Sequence, residues 1–329
     1  MILNAWTIAS LFLSGLAACL ALVLSTVSMR ALLRRRHAPA LEADEDSLHL
    51  LALLVVVLAS IRFVAWPLFY GLLKSFVPEV ASSGVMCAFG VTQLDTTLVG
   101  SLELIKPTTL LALGAWCSLS LASQRSGNDR LVAPLLICAV PLALLALADS
   151  ATEIAYVLGE RGTAAVTCCS QLLDTQAAGY TASSGALAAL GSHSPATNLA
   201  LFALSHIALL ATLRLGLRPP PRTWLLATTA ALGLANLALA RWVWIDTVAP
   251  IVLQLPYHHC IYEVLTEVPV MALAAILTVF GNGALTWPLL LSPCSRRAPS
   301  EIAHVQRAIY KLCALALATS AIIVLTHAL

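Results

Sequence analysis

Charged residues are scarce in this chain. Only 10% of its 329 residues are Asp, Glu, Lys or Arg, whereas hydrophobic residues make up 60%. A soluble protein of this size would carry about 25% charged residues. The mean hydropathy of +0.90 agrees with this deficit. The composition therefore excludes an ordinary soluble domain and indicates a protein that is surrounded by lipid.

Three further features are missing. The formal net charge is only +2, so the composition favours neither nucleic acid nor an acidic partner. None of the short arginine-rich loops contains a glycine-rich phosphate-binding motif or has room for a nucleotide-binding domain. The sequence also contains no C-x-x-C motif, which argues against a thioredoxin-like thiol exchanger. Any chemistry must therefore come from residues within the membrane or at its surface.

Long apolar runs recur along the whole chain, and each can cross a hydrocarbon core of about 30 Å. We predict an all-α polytopic membrane protein, a bundle of about eight transmembrane helices in a single transmembrane domain, with outer-face loops that form a cap. The predicted spans are about 6–29, 48–72, 97–122, 131–150, 197–216, 223–244, 264–290 and 309–328. The first run is too long for a cleavable signal peptide, so it is expected to be the first span.

Basic residues are concentrated in the loops that follow the odd-numbered spans. These loops contain Arg30, Arg34, Arg35, Arg36, Arg125, Arg130, Arg214, Arg218, Arg222, Arg296, Arg297, Arg307 and Lys311. The positive-inside rule places such loops in the cytoplasm. We therefore predict a bacterial inner-membrane protein whose N-terminus and C-terminus both lie outside. The outer loops are then about 73–96, 151–196 and 245–263, of which 151–196 is the longest periplasmic loop.

The predicted outer loops contain four of the nine cysteines: Cys87, Cys168, Cys169 and Cys260. Structural disulfides are one interpretation, because they are common in an oxidising periplasm. The other interpretation is that these thiols are redox-active or bind a soft metal ion such as copper or zinc. Adjacent cysteines can form only a strained disulfide, and strained disulfides are the readily reduced ones. The sequence leaves both interpretations open.

The stretch 255–263 concentrates more ligand chemistry than any other part of the sequence. It reads Leu-Pro-Tyr-His-His-Cys-Ile-Tyr-Glu. Because proline suits the first turn of a helix, a helix is predicted to begin near Pro256, with His259 and Glu263 on one face. The candidate metal ligands are His258, His259, Cys260, Glu263 and Glu267. The alternative is the start of an interfacial helix, with tyrosines in the aromatic belt and the histidines in water.

Ionisable residues also occur inside the predicted second, third and fourth spans, or at their outer ends. They are Arg62, Glu103, Lys106, Asp149 and Glu153. A charge inside a membrane is costly, so it normally faces a partner or a water-filled cavity. Opposite charges at a similar depth predict one polar pocket, where a cofactor such as a quinone could bind. The alternative is that Arg62 forms a salt bridge with Asp149 or Glu103 that serves packing alone.

We predict a periplasm-facing Cys/His/carboxylate site for thiol redox chemistry, electron transfer or soft-metal handling. Its expected partner is a periplasmic redox or metal-carrier protein. Its expected catalytic centre is Cys260, His259 and Glu263, with Cys168, Cys169 and Cys87 as thiol partners. One alternative is a transporter or permease that uses the buried charges while the cysteines form structural disulfides. Another is a non-catalytic membrane subunit of a larger respiratory or photosynthetic complex. Nucleic acid is not an expected partner, whereas the lipid bilayer is.

Overall fold

The computed structural model describes residues 4–37, 45–83, 85, 87–126, 129–159, 194–217, 223–255 and 260–329. Within these ranges every regular element is helical and no strand occurs. The α-helices are α1 Ala5–His37, α2 Glu45–Phe76, α3 Ala88–Leu94, α4 Thr96–Ser126, α5 Val132–Leu158, α6 Pro195–Gly216, α7 Thr223–Val243, α8 Ala249–Val252, α9 Ile261–Glu267, α10 Pro269–Gly283, α11 Trp287–Leu291 and α12 Pro299–Ala328. A π-helix at Trp244–Val248 joins α7 to α8, and short 3-10 turns connect several other helices.

Among the described residues, eight helical segments are long and apolar enough to cross a membrane, which confirms the predicted all-α bundle. They are Ala5–Arg35, Leu48–Ala81, Thr96–Ser126, Val132–Leu158, Pro195–Gly216, Thr223–Val252, Pro269–Arg296 and Pro299–Ala328. The seventh segment begins at Pro269 rather than at about residue 264. The physical reason is that proline disfavours helical backbone in the residue before it, and Val268 has φ −123° and ψ 87°. Glu263 and Glu267 therefore belong to α9, a separate short helix.

The outward surfaces of the long helices are apolar. Leu104, Ile137, Leu204 and Leu312 are each more than half exposed, although they lie within the spans. A soluble protein does not expose such continuous apolar surface to water. Helices with every backbone group bonded internally are also one of the few structures that a bilayer accepts. The chain is thus a multi-pass membrane protein in a lipid environment.

The chain divides into two compact units. The first unit consists of Met1–Ser75, Asp95–Gly162 and Leu290–Gln306, and the second unit of Phe76–Leu94, Thr163–Leu289 and Arg307–Leu329. Each unit is described below by itself. That residues 1–329 form a single transmembrane domain stays a prediction.

Small side chains line the helix interfaces of the first unit. The buried face of α1 contains Thr7, Ser10, Ser14, Ala17 and Ala21, and α1 packs mainly against α5. Their spacing of three or four residues places them on one side of the helix. Small residues let two helix backbones approach closely, which is how helices associate in membranes without a hydrophobic driving force. This close packing brings the polar groups of α1 and α5 together.

Hydrogen bonds between helices organise the second unit. Asn236 of α7 donates from Nδ2 to Oδ1 of Asn282 on α10 at 2.8 Å. The hydroxyl oxygens of Thr278 and Ser320 lie 2.5 Å apart and connect α10 to α12. A Cβ added to Gly233 would lie 2.8 Å from the Asn282 carbonyl oxygen, so α7 and α10 touch through backbone atoms there. Polar side chains that bond across helices in this way stabilise a membrane bundle.

An unusual helix end begins the connection that leads to Cys260. Gln254 follows α8 with φ 56°, the left-handed conformation that glycine normally supplies. The Leu255 N–H donates to the Pro250 carbonyl at 3.0 Å, and the Gln254 N–H donates to the Ile251 carbonyl at 3.1 Å. Together these bonds form a Schellman motif, which closes α8 and turns the chain away from the helix axis.

Candidate functional site

Two cysteines and a glutamate from distant parts of the sequence meet in the second unit. The ligand atoms of Cys87, Cys260 and Glu263 all lie within 4.8 Å of one another. Cys87 directly precedes α3, Cys260 caps the N-terminus of α9, and Glu263 lies in the first turn of α9. The rings of Phe89 and Tyr262 face each other with centroids 6.4 Å apart, which packs α3 against α9 beside this thiol–carboxylate cluster.

The local backbone explains why Cys260 and Glu263 are close. Cys260 has an extended backbone, with φ −87° and ψ 100°, and α9 begins at Ile261. The N-cap residue and the third helical residue lie side by side, as they do in a capping box. A helix that runs unbroken from near Pro256 through Glu263 is therefore excluded, whereas His259, which was expected to share a face with Glu263, lies outside the described residues. Proline suits a helix start but does not require one, and here the helix begins later.

The predicted ligands of this region have different outcomes. Cys87, Cys260 and Glu263 come together, whereas Glu267 is exposed at the end of α9 and lies outside their group. Four others lie outside the described residues: Cys168, Cys169, His258 and His259. Their roles as thiol partners or metal ligands stay predictions.

The electrostatic surroundings of Cys260 favour its thiolate. A hydrogen bond from the Cys87 thiol lowers the pKa of Cys260, and burial of the sulfur acts in the opposite direction. Backbone N–H groups of Glu263 and Tyr262 lower this pKa further, while the Glu263 carboxylate raises it. The net result is a pKa below the ordinary value of a cysteine. The thiolate is the form that binds metals and attacks disulfides.

Burial restricts what this cluster can do. Cys87 and Cys260 are 6% and 7% exposed, and Glu263 is half-buried. Both cysteines are present as thiols. Two sulfurs and one carboxylate oxygen are suitable ligands for zinc, and the sulfurs suit Cu(I) as well. The same two thiols could instead oxidise to a disulfide, which requires a closer and more specific geometry.

A second cluster lies in the first unit and consists of Arg62 on α2, Lys106 on α4, and Asp149 and Glu153 on α5. Each of these side chains is at most 3% exposed. Lys106 Nζ lies 2.5 Å from Glu153 Oε2 and 3.5 Å from Asp149 Oδ1. Arg62 Nε lies 3.3 Å from Asp149 Oδ2, and its Nη1 lies 3.5 Å from Glu153 Oε2. Two positive and two negative charges thus balance within this charge cluster.

Neutral groups complete part of the charge cluster. The Ser10 hydroxyl of α1 donates a hydrogen bond to Glu153. Arg62 donates from Nη2 to the Ala146 carbonyl at 3.0 Å and to the Ser150 hydroxyl. The sequence predicted one pocket for five ionisable residues, of which these four meet, but the serines were missed. Their signal was a run of small polar residues on one face of an otherwise apolar span.

Two further predictions about the charge cluster, that Glu103 belongs to it and that a cofactor binds there, remain untested. Glu103 is half-buried on α4, one turn before Lys106. Its membership of the charge cluster stays a prediction, and so does a quinone at these charges.

The protein is a polytopic α-helical membrane protein. Its first unit contains the charge cluster, and its second unit contains the thiol–carboxylate cluster. No protein-family model, curated protein or solved structure matches this chain. A fold of this kind hosts many unrelated functions, so the function has to be argued from the clusters themselves.

Proposed function

We propose that this protein binds a soft or borderline metal ion, Cu(I) or Zn²⁺, at the thiol–carboxylate cluster and hands it to a periplasmic metal carrier. The observation that carries this proposal is the convergence of Cys87, Cys260 and Glu263, whose ligand atoms lie within 4.8 Å of one another. These residues come from separate connections, so their convergence does not follow from nearness in the chain. The burial of both sulfurs keeps competing water away from a bound ion.

The spacing of the cluster suits a tetrahedral ion after a small contraction. Zinc binds sulfur at about 2.3 Å and oxygen or nitrogen at about 2.0 Å, so two tetrahedral ligands lie roughly 3.3–3.8 Å apart. The ligand atoms therefore need to approach one another by at most about 1 Å. Three protein ligands leave one position open for a fourth ligand. His259, directly before Cys260 in the chain, is our first candidate, with Cys168 and Cys169 next.

The thiolate character of Cys260 supports the same proposal. A cysteine must lose its proton before it can bind a metal ion, so a depressed pKa removes part of the cost of binding. His258 and Glu267 remain further candidate ligands.

The proposed orientation places the thiol–carboxylate cluster outside the cytoplasm. Eight spans bring both termini to the same side, and arginine-rich loops follow the odd-numbered spans. By the positive-inside rule those loops are cytoplasmic and both termini are outside. The cluster lies in the connections after the second and sixth spans, which then face the periplasm of a bacterial inner membrane. This is the side on which a periplasmic carrier could collect the ion.

A cadmium titration of the purified full-length protein tests the proposal. Cd²⁺ substitutes for zinc, and its bonds to thiolates absorb in the ultraviolet. We expect one cluster-bound ion per chain, an affinity at least about tenfold weaker in Cys87→Ser and Cys260→Ser, and weaker binding in Glu263→Gln. The control Cys19→Ser should bind as the parent does. Wild-type affinity in Cys260→Ser would refute the proposal. So would thiol counting that finds Cys87 and Cys260 joined in a disulfide that reductant does not open.

A transporter that uses the charge cluster is the second candidate, because of one observation. Each of the three helices that bear its charges contains an internal proline: Pro67 in α2, Pro107 in α4 and Pro141 in α5. Proline removes a backbone hydrogen bond and allows a helix to bend there. A transporter predicts that Arg62→Gln abolishes uptake in proteoliposomes while Cys260→Ser has no effect. The metal-handling proposal predicts instead that Cys260→Ser weakens metal binding, whatever its effect on uptake.

A further inference from the structure

Hydrogen bonding is uneven across the charge cluster. In the described part of the chain, Arg62 Nε and Nη1 and both carboxylate oxygens of Asp149 have no hydrogen-bond partner. Their ion pairs are at 3.3–3.5 Å and lack hydrogen-bond geometry. Glu153, one turn further along α5, instead accepts hydrogen bonds from Lys106 and Ser10. Two carboxylates on the same helix are therefore held in different ways.

This difference decides which carboxylate can exchange a proton. An ionised carboxylate that has lost water without gaining hydrogen bonds is poorly stabilised, whereas hydrogen bonds to the charged form hold it ionised. By this criterion the Glu153 charge is held firmly, and the Asp149 charge depends on ion pairs alone. Neighbouring acids in unlike environments commonly divide their roles in this way.

The unpaired atoms also match the chemistry of water. Arg62 offers two N–H donors, and Asp149 offers two acceptor oxygens. A water molecule has two acceptor sites and two donor hydrogens, and buried waters usually bond to polar groups that are otherwise unpaired. Such a molecule beside Asp149 would also be the immediate source of a proton.

We propose that Asp149 is a proton-exchange site within the membrane. Its carboxylate takes a proton from an adjacent water molecule and becomes a carboxylic acid. A proton from the bulk restores the water, and no electrons move. Uptake changes the charge cluster from neutral to +1, which weakens the attraction of Arg62 to α5. This inference concerns the first unit alone and does not depend on the metal site.

The charged groups that face Asp149 come from every helix around it except α1. They are Arg62 of α2, Lys106 of α4 and Glu153 of α5, of which the two cations favour the ionised carboxylate and Glu153 disfavours it. Glu103 lies half-buried one turn from Lys106 on α4. From α1 the cluster receives the Ser10 hydroxyl. Proton uptake is therefore reversible, because the surplus positive charge favours release.

An infrared titration of the full-length protein in lipid nanodiscs tests the proposal. Lowering the pH should produce the C=O band of a protonated, buried carboxyl group. The band should shift when the aspartates carry a ¹³C carboxyl label, disappear in Asp149→Asn, persist unchanged in the control Asp246→Asn, and persist with its aspartate label shift but at lower pH in Glu153→Gln, where one neighbouring anion is lost. If Asp149→Asn does not fold, Asp149→Glu is the test variant. Its carboxyl group belongs to a glutamate, so its band should no longer shift when aspartate is labelled. A band that follows Glu153, or no band from Asp149 at any pH that the fold survives, would overturn the proposal.

Discussion

The Cys87 thiol donates a hydrogen bond to the sulfur of Cys260, so the residue that precedes α3 contacts the residue that caps α9. Without a C-x-x-C motif, no local rule pairs these two thiols. The contact makes the two sulfurs unequal: Cys87 is the donor, and Cys260 is the sulfur that gains thiolate character.

Replacing Cys87 should change the proton affinity of Cys260 according to whether a donor remains. The pKa of Cys260 is below that of an ordinary thiol, about 8.5, so its thiolate should persist to lower pH in the parent protein. Cys87→Ala removes the donor and should raise this pKa, whereas Cys87→Ser keeps an O–H donor and should leave it low. Thiolate ultraviolet absorbance as a function of pH, with Cys260→Ser subtracted, measures the midpoint.

The same shift has a consequence for stability. Because the pKa of Cys260 is lower in the folded protein, the stabilisation is fully present above the unfolded thiol's pKa of about 8.5. It is lost as the pH falls through the depressed folded value. If the thiolate titration of Cys260 has the same midpoint in the parent and in Cys87→Ala, the hydrogen bond from Cys87 is contradicted.

Removing the Glu263 charge should shift Cys260 in the opposite direction. The carboxylate of Glu263 raises the pKa of Cys260, so Glu263→Gln should lower the thiolate midpoint below that of the parent. The matched control is Glu267→Gln, one turn further along α9 and exposed, which should change the midpoint much less. The same absorbance titration reads both variants. A midpoint that rises in Glu263→Gln would show that the carboxylate does not face the sulfur.

Breaking the charge cluster from one side should be strongly destabilising. Lys106→Met leaves Glu153 buried without the cation 2.5 Å from it. The loss of one partner from a buried ion pair costs about 3–5 kcal/mol. Thermal unfolding in detergent should show this loss, and Lys311→Met, which removes an exposed lysine of α12, should not. The double variant Lys106→Met with Glu153→Gln restores charge balance and should recover much of the stability. If it is no better than the single variant, the charge balance is not what matters.

Two glycine substitutions in the first unit should have opposite effects. A Cβ at Gly71 of α2 would overlap the Trp6 ring, so Gly71→Ala must displace the indole and should destabilise the protein. Nothing lies within 4 Å of the Cβ position at Gly100 of α4. Gly100→Ala should therefore stabilise the protein by up to about 1 kcal/mol, through helix propensity. Unfolding midpoints measured side by side give the comparison, and a stabilised Gly71→Ala would contradict the Trp6 contact.

Some parts of the candidate sites could be predicted from sequence because local rules govern them. The charges of the second, third and fourth spans were expected to meet because a lone intramembrane charge is too costly. Arg62, Lys106, Asp149 and Glu153 do meet. The start of α9 was missed because proline permits a helix start over several residues. The unequal hydrogen bonding of Asp149 and Glu153 could not be predicted from the sequence either, because it depends on the position of Ser10 of α1.

The pattern of apolar runs was enough to predict a multi-pass helical membrane protein, and the described part of the chain contains the eight helices expected. Hydropathy is summed along the chain, and a bilayer accepts helices whose backbone is satisfied internally. The contacts of Cys87 with Cys260 and of Lys106 with Glu153 became evident only from the packed structure. Such meetings depend on the approach and rotation of packed helices and their connections, which are set by side-chain fit between distant segments rather than by any pattern along the chain.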